Sequence, residues 1–183
     1  EGLFEQCPME AVFGMHNWPG APAGTMGVIS GPMMASSNEF ELSIQGKGSH
    51  AAQPHLSTDP VMVAVQIAQS WQTIISRNKN PLDAGVLSIT QIHSGSATNI
   101  IPDSAKMIGT VRTFTMEALD LIESRMGEIA AHTAAAFGAE VEFSFRRNYP
   151  PLINHEPETA FAREIISEVV GKDGLLKKLE PTM

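Results

Sequence analysis

From Asn38 to Arg147 the hydrophobic period of the chain switches from two to about 3.6 and back, twice, an order that few folds satisfy. Phe40, Leu42 and Ile44 alternate with Glu39, Glu41, Ser43 and Gln45, as a half-buried strand requires. Asp59-Pro60 opens a helix, with the aspartate placed to cap free amides and the proline suited to the first helical position. Val61, Ala64, Val65, Ala68, Trp71 and Ile75 recur at helical spacing and predict one core-facing stripe, which ends near Arg77 to Asn80 with Pro81 beyond. Val86 to Ile92 reads as a second strand and Ala105 to Phe114 as a third, with Met107 and Val111 on one face and Lys106, Thr110 and Arg112 on the other. Thr115 caps a second helix with Glu117 in its first turn; its stripe is Leu119, Ile122, Met126, Ile129, Thr133 and Phe137, and Gly138 stops it. Val141, Phe143 and Phe145 then alternate with charged and polar residues as a fourth strand.

This β-α-β-β-α-β order predicts an α+β, ferredoxin-like domain: a four-stranded antiparallel sheet with both helices on one face and the other face open. The predicted domain is 38–147, and about 110 residues suffice for independent folding. Residues 1–37 and 148–183 read as partial α/β segments of another domain. In the first of them Ala11 to Phe13 predicts a buried strand that delivers Gly14-Met15-His16-Asn17-Trp18-Pro19 into a loop. His16 then sits at a strand's carboxyl end, where open α/β sheets bind ligands and metals, and it is either a metal ligand or a satisfied structural histidine. Thr25 to Ser30 predicts a short strand, and Glu158 to Val170 a helix with Gly171 as its stop. An opening without methionine and an ending at Leu179 to Met183 without a closing element predict a piece cut from something longer.

The loop Gly46-Lys47-Gly48-Ser49-His50-Ala51-Ala52-Gln53-Pro54-His55 carries two glycines that turn the chain and two histidines five residues apart. It is either a solvated turn or a loop whose tip, His50, donates to a ligand. Asn99 ends a second polar loop that begins at His93, and either caps its turn or meets the same ligand. Arg112 lies on the open face, where it either pairs with a surface carboxylate or waits for an anion.

Composition removes several classes. A formal charge of -8 and a pI near 5.2 exclude a nucleic-acid or anionic-membrane partner, since both need a basic field. The predicted sheet also lacks the central aromatics that would stack bases. Cys7 stands alone, so no intrachain disulfide or CxxC pair exists. No apolar run reaches the roughly 18 residues of a spanning helix, and a soluble, cytoplasmic protein is expected.

Four motifs taken together carry a resemblance: Gly14-Met15-His16-Asn17-Trp18-Pro19, Gly46 to His55, Asn99-Ile100-Ile101-Pro102 and Gly109-Thr110-Val111-Arg112-Thr113-Phe114. They resemble the metal-dependent amidohydrolases that include hippurate hydrolase, N-acyl-amino-acid amidohydrolases (aminoacylases) and plant indoleacetyl-amino-acid hydrolases. The resemblance implies a catalytic α/β domain holding two divalent metals of zinc, manganese or cobalt type, and an inserted ferredoxin-like lid through which a homodimer forms. It implies His16 as a metal ligand, and His50 of the partner's lid as donor to the oxyanion of the scissile amide. Asn99 would be its companion, Arg112 the grip on the carboxylate of an N-acyl-amino-acid substrate, and His55 a residue of the substrate loop that supports His50.

The same likeness shows what the chain lacks. The family's His-x-Cys-Gly-His-Asp segment, its Glu-Glu pair and its last histidine ligand are absent, so the fragment alone is expected to bind no metal tightly and to be inactive. The competing reading is a non-catalytic small-anion-binding or assembly module of the same fold. His93, His132 and His155 match no role.

Overall fold

The computed structural model describes residues 2–183, which divide into two units. The larger, Met34–Leu152 with Pro181–Met183, contains the four-stranded sheet; the smaller comprises the described part of Glu1–Met33 with Ile153–Glu180.

In chain order the elements are α1 (Leu3–Gln6), β1 (Gly31–Met34), β2 (Ser37–Gln45), β3 (Ser49–His50), α2 (Pro60–Thr73), β4 (Gly85–Ser94) and β5 (Ile100–Ile101). There follow β6 (Ser104–Thr113), α3 (Met116–Phe137), β7 (Glu140–Tyr149), β8 (Leu152–Asn154) and α4 (Glu156–Gly174). The order β4-β6-β2-β7, antiparallel throughout, is the ferredoxin-like sheet that the periodicity predicts. Phe40, Leu42 and Ile44 are buried on one face with Met107 and Val111, as expected. Register fixes the open face: Glu41 lies opposite Ile108 and Ser43 opposite Lys106, and Lys106 reaches diagonally to Glu41 at 2.7 Å.

The helices form where their caps dictate. Asp59 Oδ1 accepts from the Val61 and Met62 amides, and Thr115 Oγ1 from Ala118, while Gly138 ends α3 in the left-handed region. Trp71 is the centre of the core. It is fully buried, stands edge-on to Phe40 and Phe143, and donates Nε1–H to the Met126 carbonyl at 3.0 Å. A single side chain thus joins α2, α3, β2 and β7.

The predicted stripes are corrected in detail. In α2 the buried positions are Pro60, Val63, Ala64, Ile67 and Trp71, continued by Ile74 in the π-helical turn that follows, while Val61 and Val65 are 38% and 41% exposed. The apolar arc of this helix is wider than the core needs. In α3 the stripe passes through Ala130 and Ala134, not Thr133 and Phe137, because small residues let the helix end approach the sheet.

In the smaller unit Ala11 to Phe13 is not a strand and Val12 and Phe13 are exposed, because no segment among the described residues pairs with them. Thr25 to Ser30 contributes only an isolated bridge from Met26 to Leu175; the strand is β1, paired with β8. α4 starts two residues earlier than predicted, at Glu156, and is broken at Gly171. No helix among the described residues is long and apolar enough to cross a membrane.

Candidate functional site

The His50 loop is built by close backbone contact. A Cβ on Gly46 would stand 2.2 Å from the Thr58 carbonyl oxygen, and one on Gly48 2.6 Å from that of Ile101. Only glycine admits both approaches. Lys47 and Thr58 exchange two main-chain hydrogen bonds at 2.9 Å, which closes the loop at its base. Asp103 fastens it from the other side: its Oδ1 accepts from the Gly48 amide and its carbonyl from the Gly46 amide, each at 2.8 Å. Nothing local in the sequence reveals which loop an aspartate will meet, so this role of Asp103 is not legible there.

A two-residue ladder then joins β3 to β5, placing His50 opposite Ile100, and the Ala51 amide donates to the Asn99 carbonyl at 2.9 Å. His50 and Asn99, both exposed, are therefore neighbours. The Ala52 amide donates to His50 Nδ1 at 3.1 Å. A backbone amide can only donate, so the neutral ring carries its proton on Nε2. His50 is a preset hydrogen-bond donor. Beside it the open face holds a groove of about 840 Å³ lined by Ser43, Gln45, His93, Ser94, Lys106 and Glu142 among others. His93 bonds Gln91 there at 3.0 Å.

Arg112 is on the same face but at the far end of β6, eight steps from Ser104, about 27 Å along an extended strand. Its Nη1 donates to the Ser36 carbonyl at 3.3 Å. Ser36 is itself anchored, with its Oγ accepting from the Thr113 and Asn38 nitrogens. Glu39 is held by Arg146, whose hydrogen bond and charge depress its carboxyl below the ordinary range; Arg112 adds only a weaker attraction. The guanidinium fork of Arg112 thus forms no ion pair among the described residues.

His55 lies exposed in a 3-10 turn, and its ring makes no hydrogen bond among the described residues. The loop is secured by Asp103, Thr58 and Ser57. His16, in the smaller unit, is exposed and stands edge-on to Trp18. His132 is exposed on α3, and the carbonyl of His155 accepts the first helical hydrogen bond of α4, from the Thr159 amide at 2.9 Å.

Residues 35–138 match the M20 peptidase dimerisation domain. The chain belongs to the M20 peptidase family. The likeness read from the four motifs therefore holds at the level of the family. The chain is 45% identical over 146 residues to the N-acetylcysteine deacetylase of Bacillus subtilis (strain 168), covering 80% of this chain and 38% of that protein. It is 34% identical over 156 residues to the N-acetyldiaminopimelate deacetylase of Leuconostoc mesenteroides, covering 84% and 41%. The M20 chain thus spans about two-fifths of the length of the curated relatives it matches. Among solved structures, the Bacillus subtilis YXEP protein, a dinuclear metal-binding peptidase from the M20 family, superposes with a TM-score of 0.69 at 33% identity over 91% of this chain and 41% of that one. The aminobenzoyl-glutamate utilization protein of Klebsiella pneumoniae, at 19% identity and a TM-score of 0.70 over 89% and 41%, shares the fold.

Among the described residues no three His, Cys, Asp or Glu side chains converge to hold an ion. His16 alone does not make a metal centre.

Proposed function

We propose that this chain is the lid and dimerisation region of a metal-dependent amidohydrolase that cleaves the amide bond of N-acyl-amino acids, of the hippurate or N-acetyl-amino-acid type. His50 Nε2–H donates to the oxygen on which charge develops as the amide carbonyl becomes tetrahedral, and Asn99 adds a second donor beside it. Arg112 holds the substrate carboxylate with its planar fork, and His55 borders the substrate loop. His16 is one ligand of the two divalent ions of the whole enzyme, whose cleft is completed by residues from outside this stretch.

The distance between Arg112 and the His50–Asn99 pair carries this reading. An acyl-amino acid is far shorter than the roughly 27 Å of strand between them, so one lid does not clamp one substrate with both. Two lids do. β7 carries Glu140, Glu142, Arg146 and Arg147, and α3 carries Glu117, Asp120, Glu123, Arg125 and Glu128, whereas β4 and α2 contain no Asp, Glu, Lys or Arg. Charge guards a free sheet edge and is depleted at interface centres, so β4 is the edge reserved for a second copy. Antiparallel pairing of two β4 strands about their middle brings Arg112 of one lid towards His50 and Asn99 of the other. The two β6 strands are then three strand spacings apart, about 15 Å.

Mixed dimers of the whole enzyme test this. His50→Ala and Arg112→Ala chains are each expected to be nearly inactive. Mixed in equal amounts and allowed to exchange, they recover about a quarter of wild-type turnover, because half the dimers form between the two types and each of those has one intact site. Mixtures no more active than the separate variants would refute the shared site. The chain of 183 residues by itself, supplied with zinc, manganese or cobalt, is expected to turn over neither hippurate nor acetyl-amino acids. Turnover at a whole-enzyme rate would show that the lid reading is wrong.

A further inference from the structure

Leu82 is 91% exposed at the tip of the α2–β4 connection. An exposed leucine on a loose turn needs no explanation. This turn is fastened. Lys79, only 9% exposed, donates Nζ to the carbonyls of Asn80, at 2.8 Å, and Asp83. Asn80 Oδ1 accepts from the Leu82 amide at 3.0 Å, and the Asp83 amide closes onto the Asn80 carbonyl at 3.1 Å. A buried ammonium is spent on holding an apolar side chain out in water, and pre-ordering of this kind lowers the entropic cost of a later contact.

The complement lies at the other end of α2. Leu56, Val61 and Val65 are 52%, 38% and 41% exposed. At 100° per residue Val61, Val65 and Ala68, followed by Gln72 near the helix end, sit to one side of the buried face of α2, and Gln66 and Ser70 to the other. The crossover from β2 through α2 to β4 is right-handed in such units, which turns the Val61–Val65 side towards the β4 edge and the Gln66–Ser70 side towards α3. α2 with its π-helical extension to Asn78 is about 28 Å long, and β4 about 34 Å. Leu82 and Val61 therefore mark opposite ends of one layer, and a two-fold axis through the middle of β4 carries each end onto the other end of the partner.

We propose that Leu82 is an interface anchor that packs against Leu56, Val61 and Val65 of a second copy of this chain, a contact made twice per pair. It rests on the β4 seam proposed above, and the test separates the two. In a Cys7→Ser background, single cysteines at Ser88, Ile89, Thr90 and Gln91 report the seam, and Leu82→Cys combined with Val61→Cys or Val65→Cys reports the anchor. Mild oxidation of the full chain is expected to give a covalent dimer from at least one seam position and from a Leu82 combination. Leu82→Cys alone is expected to stay monomeric on a non-reducing gel. Leu82→Asp is expected to raise the dimer dissociation constant at least tenfold in sedimentation, with the monomer's circular dichroism unchanged. Cross-linking at the seam without cross-linking from Leu82, or self-linking of Leu82→Cys, overturns the anchor and leaves the seam standing. A seam that never cross-links overturns the underlying dimer and the anchor with it.

Discussion

Trp71→Ala is expected to lower the unfolding free energy by about 4 kcal/mol, from the usual range for removal of a buried aromatic side chain. The indole fills the space between α2, α3 and the sheet, so neighbours on three sides have to move to close the cavity. The Met126 carbonyl also loses the indole donor and keeps only its helical partner, so the lost hydrogen bond adds a smaller amount. A domain of this size has roughly 5–15 kcal/mol to lose, so the change takes a third or more of it. Urea unfolding followed by far-ultraviolet circular dichroism is the measurement, since removal of the indole itself perturbs fluorescence. A loss below about 1 kcal/mol would mean that the aromatic cluster with Phe40 and Phe143 is not the core's centre.

His50→Ala in the whole enzyme is expected to reduce kcat by about a hundred- to a thousandfold, the effect of removing one preorganised oxyanion donor. KM should change little, because the hydrogen bond strengthens as charge develops on the oxygen and contributes less in the ground state. His50 is exposed and its ring bonds only the Ala52 amide, so dimer mass and unfolding midpoint should match wild type. A kcat within about tenfold of wild type would remove His50 from the reaction. A raised KM at unchanged kcat would instead make it a binding residue.

The larger unit was legible because its core follows local periods. Alternation through Phe40, Leu42 and Ile44 and the caps at Asp59, Thr115 and Gly138 all place elements where the structure has them. The errors have one cause: a hydrophobic pattern says that a side chain leaves water, not which neighbour covers it. Val61 and Val65 read as core and lie at the surface, on the side of α2 turned to an uncharged edge strand. Ala11 to Phe13 reads as a strand and finds no partner among the described residues.

The site divides in the same way. Residue type and loop position mark His50, the place of Asn99 in its loop and of Arg112 on the open face of a strand leave their roles open, and only the family resemblance joins the three. Asp103 and Ser36, which hold the loop and the arginine, were invisible, because each acts on a residue more than fifty positions away.

The order of amino acids by itself determined the period of each segment, the caps, the two glycines of the histidine loop and hence the β-α-β-β-α-β architecture, all of which depend on neighbours within a few positions. Only the tertiary structure decided that His50 and Asn99 stand together, that His50 presents Nε2–H, and that Arg112 lies a strand's length away from both. Those facts come from β3–β5 pairing, one backbone amide and the antiparallel run of β6, and long-range pairing selects among partners that local spacing leaves equivalent.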